Sequence, residues 1–217
     1  MSKGDKAMEQ LPELYTTVKE EAHVEFEEKR SLFIGHAIHV DSEEEALDFI
    51  NQMKKKYSDA THNCFAYLLK GGIIARYSDD GEPQGTAGVP MLEAIRKSGV
   101  TDVCVVATRY FGGILLGAGG LVRAYSHTVS VALEGAQVVT YSPYSVYELR
   151  CGYSEYQKYG NILANASAVI DGTDFGADVL VKFAVKRENA DRLIAKISEA
   201  GYGKDIPVLV GERFDCR

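Results

Sequence analysis

Apolar positions along this chain change period several times, and each change marks an element. Val24-Glu25-Phe26-Glu27 alternates, and after Lys29-Arg30-Ser31 the alternation resumes from Leu32 to Val40, which predicts a β-hairpin. Ser42 and Glu45 form a capping box, and the spacing then turns helical, with Ala46, Phe49, Ile50, Met53 and Tyr57 on one face. Two strands are predicted next, His62 to Leu69 and Ile73 to Tyr77, joined through Lys70-Gly71-Gly72 as a hairpin. Pro90 suits the first turn of a helix that carries Met91, Leu92, Ala94 and Ile95 and stops at Gly99. Val103 to Ala107 is apolar throughout, as a strand covered on both faces would be. A further helix begins near Gly119 and ends at Gly135. It sets Leu121, Val122, Tyr125, Val129 and Ala132 to one side and Arg123, His127 and Ser130 to another.

A break in composition follows. Gln137 to Thr140 reads as a short strand, and Tyr141-Ser142-Pro143-Tyr144 has the chemistry of a linker. Beyond it the pattern predicts strand 145–151, helix 154–166, strands 168–174 and 178–185, helix 189–200 and strand 206–211. Ser154 with Gln157 is a second capping box, ahead of a stripe of Tyr159, Ile162, Leu163 and Ala166. Leu193, Ile194 and Ile197 form the stripe of the last helix, with Gly201 closing it. The order βαββαβ fits a ferredoxin-like domain. The chain thus reads as α+β with two domains, 21–140 and 145–217, each a sheet with helices on one face. Residues 1–20 read as a loosely docked tail.

Charge changes this picture locally rather than globally. The net charge is −7, which disfavours generic polyanion binding, but the charges are unevenly placed. Residues 1–48 hold five Lys and Arg against thirteen Asp and Glu, whereas Arg96, Lys97, Arg109 and Arg123 face Asp102 alone between 96 and 127. An acidic molecule therefore carries one basic patch, and local fields steer ligands. No apolar run is long enough for a membrane span, and the N-terminus lacks the apolar core of a signal peptide, so the expectation is a cytoplasmic protein with no membrane partner. Cys64, Cys104, Cys151 and Cys216 are scattered without a Cys-x-x-Cys pair, which argues against zinc and against a disulfide framework.

The basic patch coincides with the glycines. One loop, Ser78-Asp79-Asp80-Gly81-Glu82-Pro83-Gln84-Gly85-Thr86-Ala87-Gly88, precedes a helix, and a second, Gly112 to Gly120, links a buried strand to another. Glycines admit a ligand close to backbone amides, and a helix start favours an anion. The spacing is not that of a dinucleotide fingerprint, and no Gly-Lys-Ser/Thr marks a P-loop. A generic anion cradle remains: amides of Gly112, Gly113, Gly117, Gly119 and Gly120, Arg109 and Arg123 as forks, and Tyr125 and His127 flanking. Against it stands a packing role for the glycines, with the arginines paired to Asp79, Asp80 or Glu82. Those three acids could instead hold Mg²⁺ or Ca²⁺, although EF-hand spacing is absent. Lys54-Lys55-Lys56 reads either as a nucleic-acid patch or as solvated charge at a helix end.

Residues 77–88, Tyr-Ser-Asp-Asp-Gly-Glu-Pro-Gln-Gly-Thr-Ala-Gly, and 109–125, Arg-Tyr-Phe-Gly-Gly-Ile-Leu-Leu-Gly-Ala-Gly-Gly-Leu-Val-Arg-Ala-Tyr, resemble the signature of the IMPACT family in its bacterial, YigZ-like branch. The resemblance spans about residues 16–217. It implies a first domain like the second domain of ribosomal protein S5, an α/β sandwich, and a ferredoxin-like second domain like the last domain of elongation factor G. It also implies translation regulation. Eukaryotic relatives restrain a stress kinase through its ribosome-bound activator, using an additional RWD domain for which this chain has only about twenty residues. No catalytic residue and no cofactor is implied. The leading expectation is a non-enzymatic protein that binds RNA or a ribosomal surface through the basic glycine-rich cleft. Its alternatives are an enzyme or binding protein for a small phosphorylated ligand, with a divalent metal at Asp79, Asp80 and Glu82, and a module whose acidic face over 20–48 meets a regulatory protein partner.

Overall fold

The computed structural model describes residues 14–216. The chain divides into two compact units, Tyr15–Thr140 and a second built from Tyr141 onward. In the first, the strands are β1 (Tyr15–Val18), β2 (Ala22–Glu28), β3 (Ser31–His39), β4 (His62–Leu69), β5 (Ile74–Ser78) and β6 (Val103–Tyr110). The helices are α1 (Glu43–Lys56), α2 (Gly88–Ser98) and α3 (Ala118–Gly135). Strands β2-β3-β6-β4-β5 form one antiparallel sheet with β6 at its centre. All of Val103 to Arg109 is buried. The uniformly apolar run Val103–Ala107 has this cause: alternate residues enter two different cores.

Helices cover both faces of this sheet, not one as the sequence reading expected. Val103, Val105 and Ala107 pack with Met91, Ile95, Tyr125 and Val129 of α2 and α3. Cys104 and Val106 pack on the opposite side with Ala46, Phe49, Ile50 and Met53 of α1. Side-chain alternation along one strand settles the matter, since neighbours in sequence point to opposite faces. Under α1, Thr108 donates to Asn63, whose amide donates to the Tyr57 carbonyl, while His36 sits against Thr108 at 3.2 Å and His23 at 2.6 Å. Burial, then the charges of His23 and Lys56, push the His36 pKa down to about 3, so this core imidazole stays neutral.

The second unit contains β7 (Val138–Cys151), α4 (Tyr153–Asn165), β8 (Val169–Phe175), β9 (Val179–Lys186), α5 (Arg187–Ala200) and β10 (Val208–Asp215), with β7 starting in the first unit. The sheet order β10-β7-β9-β8 is that of a ferredoxin-like domain. Leu149, Val181 and Phe183 pack beneath Tyr159, Leu163, Leu193 and Ile197 of its two helices.

Local corrections accompany these agreements. The tail expected over 1–20 includes Tyr15–Val18, which is a strand with Val18 buried; residues 1–13 lie outside the described residues. The supposed linker at Tyr141–Tyr144 lies inside β7. Pro143 stands there opposite Phe214 of β10, one residue before the pairing with β9 starts at Tyr144. Ser42 caps α1, its hydroxyl accepting from Glu45 N–H at 3.2 Å, while the Glu45 carboxylate reaches back to Asp41 N–H at 2.8 Å rather than to Ser42. The capping box expected at Ser154 does not form: Gly152 occupies the N-cap and Ser154 donates to Glu155 instead.

Candidate functional site

The first glycine-rich loop turns inward on Asp79. One carboxylate oxygen accepts from the amides of Ala87 and Gly88 at 3.0 and 2.8 Å, and the other from Gly85 at 2.8 Å. Asp79 thereby caps α2 from nine residues upstream and fills the anion cradle with the protein's own carboxylate. Burial opposes its ionisation, yet the amides of Gly85, Gly88 and Ala87 outweigh burial and hold its pKa below the usual value. Gly88 is required for close approach, because a Cβ there would lie 2.9 Å from the Ser78 backbone. Asp80 is equally committed, binding Lys54 at 2.6 Å and the Asn63 amide at 2.7 Å.

Glu82 and Arg109 meet below the surface. Arg109 donates to Glu82 Oε1 at 2.6 Å, Tyr125 donates to the same oxygen at 2.7 Å, and His62 Nε2 lies 3.8 Å from Oε2. Their relative exposures are 7% for Glu82, 5% for Arg109 and 0% for Tyr125, so all three side chains are buried. Arg109 also reaches Ser31 Oγ at 3.2 Å, and its guanidinium lies 5.4 and 5.5 Å from the ring centres of Phe33 and Phe111. Arg109 was expected as a phosphate fork and Tyr125 as a flanking contact; the structure makes them internal struts. The Tyr125 hydroxyl is held protonated, chiefly by burial. Cys64 donates to the Asp79 carbonyl, and burial raises its thiol pKa to about 12.

The expected metal set is also dispersed. Asp79 faces amides, Asp80 faces a lysine and an amide, and Glu82 faces Arg109 and Tyr125, so their oxygens do not converge. Among the described residues, no three His, Cys, Asp or Glu side chains are placed to hold a metal ion.

The second loop is different. From Phe111 to Gly120 every residue except Leu116 has some exposure, and Phe111, Ile114 and Leu115 present 44%, 40% and 81% of their surface. Gly112 pins its start, since a Cβ there would fall 1.8 Å from the Arg30 carbonyl oxygen. That contact brings in the β2–β3 turn, where Lys29 and Arg30 hold positive φ values of 47° and 64° and both side chains are exposed. Gly113 and Gly117 take φ values of 85° and 71°, and Gly117 serves as the N-cap of α3 without a side-chain cap. Arg123 is exposed one turn into α3, its Nη1 only 3.7 Å from where a Gly119 Cβ would stand. Its guanidinium therefore lies alongside Gly119, at the start of a helix that no side chain caps. His127, exposed further along, rests edge-on against Phe26 at 4.8 Å.

Of the sequence-predicted residues, Gly112, Gly113, Gly117, Gly119, Gly120 and Arg123 share one surface. Arg109 and Tyr125 support it from beneath. The sequence reading missed Ser31, Lys29 and Arg30. Only strand register reveals them, because pairing of Leu32 with Tyr110 and Phe33 with Arg109 places the β2–β3 turn beside the loop.

Two family models match this chain, an Impact N-terminal domain over residues 29–133 and a domain of unknown function, DUF1949, over 149–204. The IMPACT family member YvyE of Bacillus subtilis is 39% identical over 191 residues, 88% of each chain. The IMPACT family member YigZ of Escherichia coli is 35% identical over 196 residues, 89% of this chain and 93% of that one. A crystal structure of a hypothetical protein superposes with a TM-score of 0.58 at 33% identity, covering 93% of this chain and 99% of that chain. Both family models and relatives matched along most of their length agree, and this chain belongs to the IMPACT family.

Proposed function

We propose that this protein is a non-enzymatic, translation-associated binding protein that contacts RNA on a ribosomal surface through the β6–α3 loop. The observation that carries this reading is the exposed Arg123 lying beside Gly119 at the uncapped start of α3. A guanidinium beside an exposed, uncapped helix start suits a phosphate oxygen. Lys29 and Arg30 flank the loop on its other side, and Phe111 offers a ring for base stacking. The rival metal-dependent enzyme needs Asp79, Asp80 and Glu82 to converge, and their hydrogen bonds commit them elsewhere. The family's regulatory role in translation supports the reading by resemblance alone.

Sedimentation of the purified protein with ribosomal subunits tests it, beside a Lys29→Glu/Arg30→Glu/Arg123→Glu variant. The expected outcome is co-migration of the unmodified protein and a variant left at the top of the gradient. Equal behaviour of the two proteins would remove the loop from the contact.

A further inference from the structure

A second cationic concavity lies in the ferredoxin-like unit, apart from the residues discussed above. It has a volume of about 560 Å³ and lies where the end of α4 and the start of β8 meet the first turns of α5. Lys186, Arg192 and Lys196 line it, together with the polar side chains of Asn165, Ser167 and Asn189. The spacing of Asn189, Arg192 and Lys196 places all three on one stripe of α5, while Ala190, Leu193 and Ile197 turn to the core.

Charge makes this pocket unusual within its unit. Arg150 pairs with Asp178, Arg187 with Glu212, and Arg213 with Asp171 and Asp215. Among the described residues, Arg192 alone of this unit's arginines has no carboxylate partner, and neither Lys186 nor Lys196 forms an ion pair. Three cations thus converge on one cavity against a single lining carboxylate, Glu188. Like charges gathered around a concavity repel one another and focus a positive potential into it. The uncapped first turn of α5 adds to the same field, but the cations carry the argument.

We infer that this pocket binds a phosphate ester bearing hydroxyl groups, a sugar phosphate or nucleotide unit. Arg192 is suited to a bidentate contact with the phosphoryl oxygens, and Lys186 and Lys196 supply point charges. Asn165, Ser167 and Asn189 offer donors and acceptors for the sugar hydroxyls. The volume falls within the range of small-molecule sites, roughly 300 to 1,000 Å³. The same chemistry is offered by a free metabolite and by one nucleotide of an RNA strand. This site is independent of the α3 surface and stands or falls without it.

Calorimetric titration of the full chain with ribose 5-phosphate and, separately, with a short oligouridylate lacking terminal phosphates tests the inference. An Arg192→Gln/Lys196→Gln variant is compared with Lys19→Gln/Lys70→Gln, which removes the same charge from exposed positions of the first unit. The expected result is saturable binding of at least one probe, weakened about tenfold or more by the pocket substitutions and little by the control. Binding of ribose 5-phosphate assigns a free metabolite, and binding of the oligouridylate alone assigns an RNA strand. Binding of neither probe, or equal loss in both variants, would overturn the inference; circular dichroism of each variant shows that the fold is retained.

Discussion

Arg109 illustrates how far a residue's role depends on what surrounds it. Its charge lies in a nearly closed space with Glu82, under Tyr125 and between two aromatic rings. Removing one partner of a buried pair leaves the other ionised and without its counter-charge, which costs more than the pair itself contributes. Arg109→Ala is therefore expected to destabilise the protein by about 3–5 kcal/mol in urea titration. Arg109→Met combined with Glu82→Gln should lose markedly less than the sum of the two single changes. Additive losses would show that the two side chains act independently. Sequence alone offered both possibilities for Arg109, a ligand fork or a partner for a nearby acid. Burial decided between them.

At the scale of elements, each glycine-rich loop leads into a helix, but the two helix starts are handled in opposite ways. The start of α2 is closed by Asp79, whereas that of α3 is left open beside Arg123. Because the folded-state pKa of Asp79 lies below its ordinary value of 3.8, its contribution to stability is present above that pH. It is lost as pH falls through the lower folded value. In thermal melts, Asp79→Asn should be less stable than the unmodified protein near neutrality, and the gap should narrow as pH falls below 3.8. A gap independent of pH would mean that shape, not charge, makes the cap. The capping boxes show a related limit of local reading. Ser42 caps its helix because Ser-x-x-Glu stands directly at the helix start, while Ser154 lies within the first turn after Gly152 and has no cap position to fill.

Across the whole molecule, an overall charge of −7 coexists with two separate cationic surfaces, one in each unit. A net negative protein that binds RNA must do so through local contacts, and these displace counterions from phosphates. Ribosome co-sedimentation should accordingly weaken as salt rises from about 50 mM to about 200 mM. Retention that is indifferent to salt would point to the exposed Ile114 and Leu115, and so to an apolar protein contact. No helix among the described residues is long and apolar enough to cross a membrane.

Much of this architecture was legible in the linear pattern. Period and punctuation located the helices and nearly all strands, because those signals arise between residues three or four apart in a helix and two apart in a strand. The βαββαβ order alone identified the second unit, and the motifs around Asp79 and Arg109 identified the family. What the pattern could not supply was anything that depends on strand register or on depth. Tyr15–Val18 is too short to show a period, and its role comes from pairing with β7. The placement of α1 opposite α2 and α3 followed only from the side-chain parity of β6. Lys29 and Arg30 joined the candidate surface through a pairing of strands nearly eighty residues apart in sequence. The same packing drew Arg109 inward and left Arg123 outside, although both arginines belong to one continuous motif. The sequence by itself determined which elements form, since hydrophobic periodicity is a local property. Only the tertiary structure decided which charges are neutralised and which remain free for a ligand, because burial and pairing are settled between segments distant in the chain.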